Sequence, residues 1–218
     1  MTTLTAAPLG LLLDRLFAEA EAAPSPDMTN LSSQELERLM HSKTEYRDLY
    51  GRMKALWLPV SRETGALLYM LARSCSARSI IEFGTSFGIS TLHLAAALRD
   101  NGGGRLITSE FEPSKVGRAR LHLAEAGLAD LVEFREGDAL ETLGANLPES
   151  IDLLLLDGAK ALYPEILALV ESRLRPAALV IADNADYSPD YLARVRSSGS
   201  GYMSTPFAED VELSMRIG

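Results

Sequence analysis

The sequence predicts an α/β fold, a doubly wound, mostly parallel sheet of seven strands with helices on both faces and a helical appendage at the N-terminus. Three observations predict it. From Ser79 onward, short runs that are apolar throughout recur at intervals, as strands buried on both faces do. Helical runs of roughly ten to fifteen residues separate them, the alternation of βαβ units. Before Ser79 the periodicity is helical only.

Ser79–Phe83 is the first strand, and Glu82 to Gly88 turn it into the helical run Ile89–Arg99. Gly104–Glu110 is a strand. Pro113–Gly127 is a helix that opens on proline and ends on glycine. Leu131–Arg135 is a strand, Asp138–Leu143 a short helix, and Ile151–Asp157 a solid apolar strand. Leu162–Arg175 is helical with Pro164 in its first turn, and Ala177–Asp183 is strand-like. Pro189–Arg196 is helical, and Gly201–Ser204 and Val211–Ile217 are two last strands around Pro206. Such an order is Rossmann-like. Upstream, Leu9–Glu21, Ser32–His41, Lys43–Leu56 and Arg62–Cys75 are helical, broken by Pro24-Ser25-Pro26 and by Pro59. Residues 1–59 form the appendage, an expected lid or dimer face, and 60–218 form the main domain; no single N-terminal stretch can build its own core.

Composition narrows the function. The formal net charge of −9 and the absence of a basic cluster disfavour nucleic acid as a partner. No apolar run approaches the ~20 residues of a membrane helix. Leu9–Leu13 is too short and has no basic residue ahead of it, so a cytoplasmic location is expected. A single cysteine, Cys75, excludes an internal disulfide and a cysteine zinc site, and is expected as a small buried filler. Only Lys43, Lys54, Lys115 and Lys160 are lysines among 21 basic residues, which singles each of them out.

The loop Glu82-Phe83-Gly84-Thr85-Ser86-Phe87-Gly88 leaves a strand and opens a helix, where glycine lets a ligand approach the backbone. It lacks both the Gly-x-Gly-x-x-Gly of dinucleotide sites and the Gly-Lys-Ser/Thr of triphosphate sites. Glu82 at its start repels phosphate and suits an amino group or a cation. Alone, the glycine pair reads equally well as a tight turn. Glu110 at the next strand end, placed to accept from two ribose hydroxyls, and Gly137-Asp138-Ala139 after the third strand favour a phosphate-free nucleoside site.

Val60-Ser61-Arg62-Glu63-Thr64-Gly65-Ala66-Leu67-Leu68 and Ile81 to Leu92 resemble the class I S-adenosylmethionine-dependent O-methyltransferases. The closest type is the catechol and caffeoyl-CoA group with its bacterial relatives. The resemblance implies that Glu82, Gly84, Thr85 and Ser90 contact the methionine part of S-adenosylmethionine. It also implies that Glu110 holds the ribose, that Asp138 and Ala139 lie beside the adenine, that Val60 closes over the top, and that Asp157 borders the cofactor.

Two adjacent strands end in Asp157 and in Asp183-Asn184, so these side chains can converge at one sheet edge. Two carboxylates and an amide form an all-oxygen set suited to Mg²⁺, Mn²⁺ or Ca²⁺ rather than zinc. A strand-end acid also serves as an ordinary helix cap. The resemblance implies that Asp157, Asp183 and Asn184 bind a divalent cation, Mg²⁺ first among them, and that Lys160 is the general base. The expected acceptor is a small vicinal dihydroxy aromatic. Ile166 and the segment Ala185–Asp190 depart from the family pattern where the acceptor would sit, leaving its identity open. Tyr50, Met53 and Trp57 read as core ahead of pocket wall, and His41, His93 and His122 as structural or surface residues. The alternatives are methylation of a hydroxylated tRNA base and a non-catalytic cofactor-binding or dimerisation module. A homodimer is expected from the resemblance.

Overall fold

In the computed structural model, which describes residues 1–24, 32–207 and 210–218, the predicted alternation is present. The sheet consists of β1 (Ser79–Phe83), β2 (Arg105–Glu110), β3 (Val132–Glu136), β4 (Ile151–Leu156), β5 (Leu174–Ala182), β6 (Tyr202–Phe207) and β7 (Val211–Arg216). Its order is β3-β2-β1-β4-β5-β7-β6. The first five strands are parallel, and β7 lies antiparallel between β5 and β6. The helices are α1 (Leu9–Ala22), α2 (Ser33–Met40), α3 (Tyr46–Arg52), α4 (Arg62–Ser74), α5 (Ile89–Asp100), α6 (Pro113–Glu125), α7 (Ala139–Thr142), α8 (Tyr163–Val170) and α9 (Pro189–Arg196).

Successive strand residues point to opposite faces, which divides the core in two. Ile80, Leu106, Leu153, Leu155 and Ile181 pack on one side with α4 and α5. Ile81, Ile107, Leu154, Leu156 and Val180 pack on the other with α8 and α9. The apolar face of α1, Leu9, Leu12, Leu13, Leu16 and Phe17, belongs to the first cluster. The N-terminal helix is thus part of the main core. Close approach of α4 to α5 rests on Gly65, where a Cβ would lie 2.7 Å from the His93 ring.

Several boundaries differ from the sequence reading, each for a local reason. The helix expected over Leu162–Arg175 ends at Val170, and β5 already begins at Leu174. Pro176 pushes Arg175 into extended backbone, and Arg175 Nε donates to Asp152 Oδ1 at 2.6 Å. The β4–β5 pairing shifts register there, jumping from Ile151↔Leu174 to Leu153↔Leu179, so Pro176 sits in a bulge where its missing N–H costs nothing. Pro206, expected between strands, lies inside β6, which is an edge strand and tolerates it. The helix expected over Lys43–Leu56 shortens to Tyr46–Arg52 because the Ser42 hydroxyl accepts from the backbone of Glu45 and turns the chain. The expected break at Pro24-Ser25-Pro26 falls, from Ser25 on, outside the described residues. Cys75 is half-buried at the end of α4 rather than enclosed. No helix among the described residues is long and apolar enough to cross a membrane.

Candidate active site

The carboxyl ends of β1, β2, β3, β4 and β5 open on one rim, and the turns leaving them carry the chemistry. After β1 the chain passes beneath the β4 turn. A Cβ on Gly84 would lie 2.6 Å from the carbonyl carbon of Asp157 and 2.7 Å from the nitrogen of Gly158, and its φ is +101°. Only glycine meets both demands. Backbone N–H groups of Ser86 and Glu112 donate to the Glu110 carboxylate at 2.9 and 3.0 Å, which fixes its orientation and leaves lone pairs for further donors. Asp138 caps α7 by accepting from Leu140 N at 2.9 Å.

Gly84, Glu110, Asp138, Ala139 and Asp157 line one crevice. Val60, Thr85, Ser90 and again Asp157 line a narrow pocket continuous with the Gly84 turn. Lys160, Asp183, Asn184, Val60 and Asp157 line a larger cleft of about 820 Å³. Asp157, together with Leu58, borders all three spaces and is the one acid among their shared walls. Most of the expected cofactor residues line the crevice and the narrow pocket, the expected base and cation ligands line the cleft, and Val60 borders both the narrow pocket and the cleft.

Glu82 is the exception. It is fully buried behind Ser90, with Oε1 accepting from Ser90 Oγ at 2.6 Å and Oε2 from Thr91 Oγ1 at 2.7 Å. Burial raises its pKa to about 7, against the opposing hydrogen bonds of Ser90, Thr108 and Thr91. From this position Glu82 braces the first turn of α5.

In the larger cleft Lys160 Nζ donates to Asp157 Oδ1 at 2.9 Å, both side chains being nearly enclosed. Burial works against the Lys160 charge, but Tyr163, Asp157, Tyr50 and Asp183 outweigh it and hold the amine protonated, its pKa well above the usual lysine value. Asp183 is 8% exposed, and burial together with the neighbouring Asp157 raises its pKa to about 7. Tyr163, fully buried, donates from its hydroxyl to the Asp183 carbonyl at 2.8 Å and lies under the Lys160 ammonium. Asn184 Nδ2 donates to Asp210 Oδ2 at 2.8 Å. Two carboxylates that crowd each other, with an amide beside them, form a donor set that fits a hard divalent cation. Among the described residues no three His, Cys, Asp or Glu side chains form a metal-binding group.

Three wall residues, Tyr46, Lys115 and Asp210, escape the sequence reading, and a fourth, Tyr50, is read there as core ahead of wall. Tyr46 and Tyr50 of α3 and Lys115 of α6 border the crevice, and Asp210 borders the cleft. Tyr50 packs against the second core cluster and also walls both the crevice and the cleft, and Met53 walls the cleft. Trp57 packs against Phe87 at 4.4 Å beside the narrow pocket. Lys115 carries a signal in its rarity as a lysine, and Tyr50 in its place on the helix ahead of Val60; Lys115 is buried against the Phe87 ring, and burial lowers its pKa. His93 and His122 are structural, their Nδ1 atoms bonded to the carbonyls of Ile89 and Phe87.

Residues 81–185 match the family described as a methyltransferase domain. Residues 81–185 thus carry a methyltransferase domain, and the chain is similar to curated catechol O-methyltransferases. A catechol O-methyltransferase of Niastella koreensis is 36% identical over 130 residues, covering 58% of each chain. Catechol O-methyltransferase B of Danio rerio is 34% identical over 175 residues, 77% of this chain and 65% of that one. The matched region spans somewhat over half the length of the first curated relatives. The O-methyltransferase TomG of Streptomyces achromogenes, solved with S-adenosylmethionine, superposes with a TM-score of 0.64 at 25% identity, covering 93% of this chain and 95% of that one. An O-methyltransferase of Bacillus cereus, solved with S-adenosylhomocysteine, shares the fold with a TM-score of 0.67 at 21% identity, over 98% and 94% of the two chains.

Proposed function

We propose that this protein transfers a methyl group from S-adenosylmethionine to a hydroxyl of a small, vicinally dihydroxylated aromatic acceptor, assisted by a divalent cation. The observation that carries the reading is Asp157, which separates a crevice holding Glu110 and Ala139 from a cleft holding Lys160 and Asp183. Glu110 holds the ribose, Ala139 and Asp138 flank the base, and Gly84, Thr85, Ser90 and Val60 enclose the methionine part. Asp157, Asp183 and Asn184 hold the cation. When bound, the sulfonium supplies the methyl carbon, and the cation orients the acceptor oxygens and lowers their pKa.

The chain's own work is alignment and proton transfer. The acceptor oxygen forms its bond to the methyl carbon as the carbon–sulfur bond breaks, S-adenosylhomocysteine leaves with that electron pair, and the hydroxyl proton passes to Lys160 Nζ. Lys160 is protonated beside two unengaged carboxylates. When those carboxylates are engaged by a cation, the two charged partners that hold its proton are neutralised, and burial weighs toward the free amine. Arginine in its place cannot accept the proton.

The test is methyl transfer from labelled S-adenosylmethionine to catechol, to phenol and to bulk tRNA, with Mg²⁺ or with EDTA. Catechol should be methylated with Mg²⁺ only. Lys160→Arg should lower kcat by about a hundredfold or more, and Asp183→Ala should abolish the activity even with Mg²⁺ present. Activity indifferent to EDTA and to Asp183→Ala would sink the cation's role. Labelling of tRNA alone would replace the acceptor, and cofactor binding without turnover on any acceptor would leave a binding module.

A further inference from the structure

The antiparallel register of β5 and β7 places Ala182 opposite Glu212, and two residues further along the same register Asn184 comes opposite Asp210. Asp210 then makes two bonds to this turn. Its carbonyl accepts from Ala185 N at 2.8 Å, and its Oδ2 accepts from Asn184 Nδ2 at 2.8 Å. Asn184 itself sits in the left-handed region, at φ 48° and ψ 46°, a conformation that asparagine tolerates better than most residues. A carboxylate only accepts hydrogen bonds, whereas an amide has one donating and one accepting end. The amide must therefore turn its nitrogen to Asp210 and leave Oδ1 as its free end.

We propose that Asp210 is a positioning residue that orients the Asn184 amide so that oxygen, not nitrogen, completes the cation site with Asp157 and Asp183. This rests on the divalent-cation reading above. An amide free to rotate by half a turn presents an N–H₂ to the ion in one of two states and forfeits a ligand there. Partners that orient a ligand in this way affect metal affinity by about ten- to a hundredfold when removed.

Mn²⁺ binding to the full chain, followed by electron paramagnetic resonance, tests both statements separately. The parent should bind Mn²⁺, and Asp183→Ala should lose it. Asp210→Ala should bind about tenfold or more weakly, and Asp210→Asn, which keeps an acceptor oxygen, should lie closer to the parent. The Asn184→Asp background discriminates further, because a carboxylate ligand has two equivalent oxygens and nothing to orient. There Asp210→Ala should cause no weakening. Thermal melts of each variant check that it is folded. Parent-like affinity in Asp210→Ala overturns the proposal, and so does an equal loss in both backgrounds, which would mark plain charge attraction. A parent that binds no Mn²⁺, or Asp183→Ala that binds as the parent does, overturns the cation reading and this inference with it.

Discussion

Glu82 shows how much one residue's setting decides. As a strand-end acid it reads as a ligand, yet its carboxylate is enclosed and spent on Ser90 and Thr91. Its folded pKa, about 7, lies above the ordinary 4.5, so the protonated form is favoured by folding. That contribution is complete below pH 4.5 and is lost as the pH rises through about 7, a difference of about 3 kcal/mol. Glu82→Gln keeps the shape without the titration. In thermal melts without cofactor the variant should gain on the parent as the pH rises from about 5 to about 8; parallel curves would mean that Glu82 does not titrate in this range. Asp157, Lys160 and Asp183 were legible because each stands at or just beyond a strand end, where parallel sheets present ligands. Asp210 was not legible, since its place depends on pairing between strands about thirty residues apart in the chain.

Among the elements of the appendage, α3 borders both the crevice and the cleft. Tyr46 OH donates to Asp138 Oδ1 at 2.9 Å, and the Arg47 guanidinium pairs with the other Asp138 oxygen. Tyr46 also packs into the sheet's second core cluster, and Tyr50 faces both the crevice and the cleft. The exposed Arg47 is worth little by itself; the tyrosine, half apolar anchor and half hydrogen-bond donor, holds the helix down. Tyr46→Phe keeps the anchor and removes the bond. Calorimetric titration with S-adenosylhomocysteine should then show about three- to tenfold weaker binding, with little change in the melting temperature of the free protein. Unchanged affinity would mean that α3 does not cover the adenine end. The sequence signals a helix here, but only the fold shows which rim it crosses.

For the whole molecule the question is whether the appendage is separate. Leu16 is fully buried and shares a core cluster with α4 and α5, and Thr3 and Tyr69 both bond to Asp100 at the end of α5. The N-terminal helix and the sheet domain should therefore unfold together. Leu16→Ala should cost about 2–5 kcal/mol in urea denaturation while leaving a single transition. Two transitions, with the sheet unaffected, would make α1 an independent unit.

By itself the sequence determined the alternation of strands and helices, the parallel sheet and the set of acids at strand ends. These follow from local rules, because apolar runs must be buried and strand-end turns face one rim. Only the tertiary structure decided that Glu82 lies behind the wall, that Asp157 is shared by both spaces, and that α3 and Asp210 complete them. The physical reason is separation along the chain. Register, crossing helices and enclosure arise from contacts between distant segments, which no window of neighbouring residues records.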